Sequence, residues 1–245
     1  MNAIGVYPRL QGYFRNLVEE NGWEADEILV EGRPLTPREG IGTPARSDFP
    51  ILIGVERLVE ARFKDARGHA FTDDWGNFRG PLREVAGMSL GSNRSRAVFV
   101  AALNAVMAHL GLVDRPVHCR DRGPEECAMG LESFLAGRPR VERVALIGLQ
   151  PALLEALSRL RRVRVSDMNP DNWGRLKSGV KVERGEKAPD LLDWCDLALV
   201  TGTTLVNGTI EPFLETPCPV VFYGVTIAAA ASILNLERYC PAGLA

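Results

Sequence analysis

The stretch LALVTGTTLVNGTI, residues 197–210, has the form of a buried strand that opens into a ligand loop. Leu197 to Val200 are uniformly apolar, as a strand covered on both faces must be, and they pass directly into hydroxyl residues and glycine. In an open α/β sheet, loops converge and helix amino termini point at the carboxyl ends of the strands, so ligands settle there. Thr201, Thr203, Thr204 and Asn207 bring hydrogen-bonding groups, and Gly202 admits a ligand close to the backbone. The plainer alternative is a threonine-rich turn that caps the next helix.

The second half of the chain repeats this strand-then-helix grammar. VALIG (Val144 to Gly148) predicts a strand, and Pro151 to Leu160 a helix with Leu153, Leu154, Leu157 and Leu160 at helical spacing. VRVSD (Val163 to Asp167) predicts a second strand, followed by a polar turn with a short helix, and Val180 to Glu183 a third strand. Asp190 to Cys195 predicts a short helix before the strand Leu197 to Val200. Glu211 to Glu215 fits a helical link, PVVFYG (Pro219 to Gly224) a fifth strand, and Thr226 to Leu236 an alanine-rich helix. Repeated alternation predicts an α/β domain on a parallel sheet.

The first half does not alternate. Ile4 to Val18 is amphipathic, with Leu10, Phe14, Leu17 and Val18 on one face. Glu27 to Val30 predicts a strand, and Ile51 to Phe63 returns toward Ala70 and Phe71 through a turn at Asp65-Ala66-Arg67-Gly68. Arg96 to Leu110 predicts a helix, and a second runs from about Pro124 to Leu135 with Glu125 and Glu126 in its first turn. Antiparallel strands with segregated helices indicate an α+β domain. A boundary at Gly137-Arg138-Pro139-Arg140 divides the chain into residues 1–138 and residues 139–245.

Composition narrows the function classes. A net charge of -2 without a basic footprint argues against a nucleic-acid partner; Arg159, Arg161, Arg162 and Arg164 read as the solvated end of a helix. The apolar stretch Val225 to Leu234 is far shorter than the roughly 20 residues of a membrane span. No secretion signal is visible, and five cysteines without a CxxC pair fit reduced thiols, so the expected location is the cytoplasm. A small-molecule ligand is the expected partner, with neither nucleic acid nor membrane, and a homo-oligomer is compatible with the sequence.

Four strand ends supply ligand candidates. Gly148 and Gln150 follow the first strand, with one glycine where a dinucleotide fingerprint has three, which weakens a nicotinamide reading. Asp167 ends the second strand, placed to accept from ribose hydroxyls or to cap its own turn, and Asn169, Asp171 and Asn172 follow it. Tyr223, Gly224 and Thr226 follow the fifth strand; Gly224 lets the chain bend and Thr226 reads first as a helix cap. No nucleophile–base pair is legible. Glu56 and Asp73 are candidate acid or base groups on the hairpin, with surface carboxylates as the plainer reading. His118 and Cys119 are metal-ligand types, but adjacent residues of an extended segment point to opposite faces.

Together the segments DFPILIGVERLVEA, GHAFTD, VHCRDRGPEECA, VALIGLQPALLEAL, VSDMNPDNWG, TGTTLVNGTI and FYGVTIAAAA resemble the prokaryotic domain-of-unknown-function family named for heavy-metal chelation. The resemblance implies an amino-terminal domain like that of enolases, a Rossmann-like carboxyl-terminal domain and a site in the cleft between them. It implies the strand-end residues as the cleft lining, and makes His118, Cys119 and Cys240 stronger metal candidates. Candidate bound groups are therefore an adenosine-containing ligand or a heavy-metal ion. The expected function is an enzyme or enzyme-like binder of a polar small molecule, with a role in making or handling a chelator. The alternatives are a direct metal-binding protein or metallochaperone, and a non-catalytic ligand sensor.

Overall fold

The structure, a computed structural model, describes residues 5–31, 42–43, 46–49 and 57–245. Two sheets organise them. The first is antiparallel, from β1 (Glu27–Glu31), β2 (Arg57–Phe63), β3 (Ala66–Thr72) and β4 (Phe78–Pro81), in the order β3-β2-β1-β4. Helix α1 (Val6–Glu20) buries Leu10, Phe14, Leu17 and Val18, the face its spacing predicts. Glu56 and the start of the predicted strand, residues 51–56, lie outside the described residues.

The hairpin turn differs from expectation. Phe63 pairs with Ala66, so the turn is Lys64-Asp65, with Lys64 at φ 52°. Gly68 lies inside β3 for a packing reason. A Cβ there would sit 2.3 Å from the Ala105 nitrogen and 2.5 Å from the Ala101 carbonyl oxygen, both in the helix crossing the sheet.

The second sheet gathers β5 (Arg143–Ile147), β6 (Arg162–Asp167), β7 (Leu176–Lys177), β8 (Val180–Arg184), β9 (Leu197–Thr201), β10 (Val220–Tyr223) and β11 (Arg238–Tyr239). Their order is β11-β10-β9-β5-β6-β8-β7, all neighbours parallel except the edge pair β7/β8. Without the β7 edge, the six parallel strands follow the 3-2-1-4-5-6 order of a Rossmann sheet, and strand order reverses between β5 and β9. That reversal leaves a crevice at the ends of those two strands, beside Gly148 and Thr201.

Among the described residues the remaining α-helices are α2 (Leu82–Ala86), α3 (Asn93–His109), α4 (Gly123–Ala136), α5 (Pro151–Leu160), α6 (Ala188–Trp194), α7 (Thr203–Asn207) and α8 (Ala228–Leu234). Every residue of α3 from Ala97 to Met107 is buried, because the antiparallel sheet lies on one side and α7 and α8 on the other. A helix apolar on all sides needs such enclosure. Within it Asn104, fully buried, donates to the carbonyls of His69 (2.8 Å) and Val225 (3.2 Å) and accepts from the Ala229 N–H (2.9 Å). Helix α8 has no side-chain cap of its own, and Asn104 serves its amino terminus from another helix. One apolar cluster therefore runs from Phe14 and Ala61 through Phe99 to Val200 and Phe222.

Candidate functional site

A cavity of about 700 Å³ opens at the carboxyl ends of the parallel strands. Its lining brings together the strand-end residues expected from sequence: Gly148, Gln150, Asp167, Asn169, Asn172, Thr201, Gly202, Thr203, Thr204, Asn207, Tyr223, Gly224 and Thr226. Asp73, His118, Cys119 and Cys240 line it too. Position is common to all of these residues; their local roles differ.

Gly148 is obligatory at the crevice. It has φ 89°, and a Cβ would lie 2.7 Å from Thr201 Cγ2 and 3.0 Å from the Tyr223 hydroxyl oxygen, which itself donates to the Gly148 carbonyl at 2.8 Å. Asp167 organises the two neighbouring loops. Its Oδ2 accepts from the Leu149 N–H (2.7 Å), and its Oδ1 from the Asn169 N–H (2.9 Å) and Asn172 Nδ2 (3.0 Å). A carboxylate offers about four acceptor positions, so these three donors leave one unused. Gln150 caps α5, its side-chain oxygen accepting from the Leu153 N–H.

The threonine segment lines the cavity, but no threonine side chain caps α7, whose N-cap is Gly202. Thr204 Oγ1 donates back to the Thr201 carbonyl at 2.8 Å, while Thr201 Oγ1 donates to Thr203 Oγ1 at 3.1 Å. Gly202 is required by the neighbouring loop: a Cβ would sit 2.9 Å from the Ile227 nitrogen. Thr226 does not cap α8, whose N-cap is Ile227; its hydroxyl accepts from the Phe71 N–H at 3.0 Å, tying the antiparallel sheet to the parallel one. The hairpin end is thus a hydrogen-bonded wall of the cavity. Asp73 stands exposed there, accepting from Asn93 Nδ2 at 2.7 Å.

Sequence reasoning missed Ser166. It lines the cavity, is 1% exposed, and its hydroxyl has no hydrogen-bond partner. A buried unpartnered hydroxyl costs on the order of 1–3 kcal/mol, which a bound polar atom would offset. The only local signal was its place next to Asp167 at a strand end. Charge is lopsided as well. Asp73, Asp167 and Glu186 line the cavity and, among the described residues, no lysine or arginine does. That arrangement disfavours an anionic group at the threonine turn.

At the opposite end the cavity is lined by thiols. Val117 pairs with Leu244, and the His118 N–H donates to His69 Nδ1 at 3.1 Å, so the segment before Cys119 is pinned on two sides. His69 Nε2 in turn lies 2.9 Å from Glu60 Oε2; with Nδ1 accepting, the neutral ring donates through Nε2. Burial works to raise the Glu60 carboxyl, but hydrogen bonds from His69 and Arg62 outweigh it and hold the group at about 2. The thiols of Cys119 and Cys127 titrate together, Cys127 pushing the Cys119 thiol up and Cys119 pushing the Cys127 thiol down, the latter helped by the Ala242 N–H and Arg115. Burial raises Cys240. His118 and Cys119 face one cavity despite their adjacency in sequence, and the ring of His118 meets that of Phe71 edge-on at 5.2 Å. Among the described residues, no group of three or more His, Cys, Asp or Glu is arranged to hold a metal ion. Nor is any described helix long and apolar enough to cross a membrane.

Fold and cavity together define an α/β protein with a Rossmann-order sheet and a crevice at its reversal point. Residues 134–235 match the family model described as "Putative heavy-metal chelation", which bears out the resemblance read from the sequence. Two solved structures are similar over nearly the whole chain, and both are of proteins with unknown function from that family, DUF364. The one from Pyrococcus horikoshii is 18% identical, with a TM-score of 0.56, covering 91% of this chain and 80% of the other. The one from Desulfitobacterium hafniense is 13% identical, with a TM-score of 0.53, covering 94% of this chain and 84% of the other. At these identities the likeness is one of fold. No curated protein matches.

Proposed function

We propose that this protein binds a neutral or cationic polar organic molecule of nucleoside type in the strand-end cavity, as an enzyme or enzyme-like protein in the handling of a metal chelator. The observation that carries the reading is Ser166: a buried hydroxyl without a partner, on the wall of a cavity whose neighbouring loops hold Asp167 and the threonine turn. Asp167 keeps one acceptor position for a ribose-type hydroxyl, and Thr203 a hydroxyl proton for a carbonyl or ring nitrogen. Apolar walls from Phe71, Leu149 and Leu192 suit a flat ring. Asp73 is the remaining candidate for proton transfer, at the mouth of the cavity.

The lack of lysine and arginine among the described lining residues makes the reading specific. Calorimetry on metal-free, tag-free protein should give binding of adenosine or S-adenosylmethionine and weaker binding of ATP, whose phosphates meet three carboxylates. Ser166 supplies the internal control, since Ser166→Ala should weaken the nucleoside without unfolding the protein. Equal or tighter binding of ATP, or no heat from any of the three, would contradict the proposal. A turnover assay on the bound compound separates an enzyme from a ligand sensor.

A further inference from the structure

At the amino-terminal end of the parallel sheet, away from the cavity, the segments leading into β9 and β10 bring two thiols together. Cys195 is the residue that closes α6, and Cys218 stands two residues before β10. Although 23 positions separate them in sequence, their sulfurs lie 3.2 Å apart, with Cys195 donating to Cys218. The backbone already has the geometry of a cross-link. Strands β9 and β10 are parallel neighbours, and the Ala198 N–H donates to the Pro219 carbonyl at 3.0 Å. Chains at strand spacing stand about 5 Å apart, within the roughly 4.4–6.8 Å between Cα atoms that a disulfide spans. The sulfurs need to approach by only about 1 Å to reach bonding distance.

Access to the pair is restricted to small molecules. Both cysteines are buried, but Cys218 sits between exposed Pro217 and Pro219, one residue beneath the surface. Burial, then Cys218, pushes the Cys195 thiol up, so Cys195 keeps its proton and reacts second.

We propose that Cys195 and Cys218 form a redox site, closed into an intrachain disulfide by a hydroperoxide. The Cys218 sulfur attacks a peroxide oxygen, the O–O bond breaks, and a sulfenic acid forms as the Cys218 proton leaves in water. The Cys195 sulfur then attacks the Cys218 sulfur, the S–O bond breaks, and a second water carries off the Cys195 proton. Two thiols are oxidised and one hydrogen peroxide is reduced to two waters; a dithiol reverses the change. The link fastens the end of α6 to the start of β10. Because α6 lends Ala188, Pro189 and Leu192 to the cavity wall, oxidation stiffens that wall from its far side.

Reduced wild type is treated with hydrogen peroxide, denatured, blocked with iodoacetamide and mapped by mass spectrometry. Cys195 and Cys218 should appear as a linked pair that dithiothreitol separates. The oxidised protein should melt about 6–12 °C above the reduced one, because a 23-residue loop is closed, and amides 188–194 should exchange more slowly. In Cys195→Ala and Cys218→Ala the peroxide-induced rise should vanish. Each variant is compared with itself before and after peroxide, so the cost of the substitution cancels.

Unlinked Cys195 and Cys218 after peroxide, or a disulfide among Cys119, Cys127 and Cys240 in their place, would overturn the assignment. So would a linked pair with unchanged melting, or a rise that persists in either alanine variant. Should a variant fail to fold, the wild-type peptide map alone decides. Disulfide formation and nucleoside binding are separate readouts, and failure of one leaves the other standing.

Discussion

Asn104→Leu should lower stability by about 3 kcal/mol, or roughly 6–12 °C in melting temperature for a chain of this size. The side chain is fully buried and uses both ends of its amide. Leucine matches its volume, so cavity formation contributes little. What remains is the Ala229 N–H, buried and without an acceptor, and the His69 and Val225 carbonyls without their donor. These unpartnered buried groups account for most of the loss, at about 1–3 kcal/mol for each donor or acceptor left bare. Aspartate should be at least as harmful, since its carboxylate would face those carbonyls with no proton to give. Because Asn104 joins β3, the loop after β10 and the start of α8, its loss also loosens the wall that Phe71 and Thr226 hold together. Chemical denaturation of wild type, Asn104→Leu and Asn104→Asp measures the effect. A midpoint within experimental error of wild type for either variant would contradict it.

Asp167→Asn should destabilise by about 2 kcal/mol and weaken nucleoside binding at least about 10-fold. Three donors converge on this carboxylate from the Leu149 and Asn169 N–H groups and Asn172 Nδ2. An asparagine has one acceptor oxygen, so whichever way it turns, its NH₂ faces at least one N–H. The loops after β5 and β6 then separate, although the change adds no bulk. A plain surface carboxylate would tolerate the same substitution without loss, and melting curves with calorimetry on this variant distinguish the two cases.

These predictions fall on residues of differing legibility. The helix Pro151–Leu160 was readable to its ends, because proline starts it and a leucine stripe fills one face. The five longer strands of the second half were readable too: β5, β9 and β10 as apolar runs, β6 and β8 as valines alternating with charged residues. Strands β7 and β11 are two residues long, too short for any periodicity, and they exist because a neighbour presents an edge. Gly68 looked like a turn glycine, whereas its role is set by Ala101 and Ala105, more than thirty residues away.

The candidate site divides in the same way. Strand-end residues are local grammar, so Gly148, Asp167 and the threonine turn could be placed in one crevice from sequence. Their internal bonding could not: the Thr226 hydroxyl serves Phe71, from the opposite sheet, and not its own helix. Ser166 was hidden because a missing partner is visible only once every neighbour is in place. The thiol end depends on the chain's last segment returning to Val117, a pairing that no local spacing encodes.

Hydrogen–deuterium exchange with and without adenosine or S-adenosylmethionine tests most directly whether the strand-end cavity is the binding site. Protection should appear together in the segments after β5, β6, β9 and β10, at residues 147–150, 166–172, 201–209 and 223–226. Protection confined to the smaller hollow lined by Leu112, Arg115 and Asn235, or no protection at saturating ligand, would contradict the account.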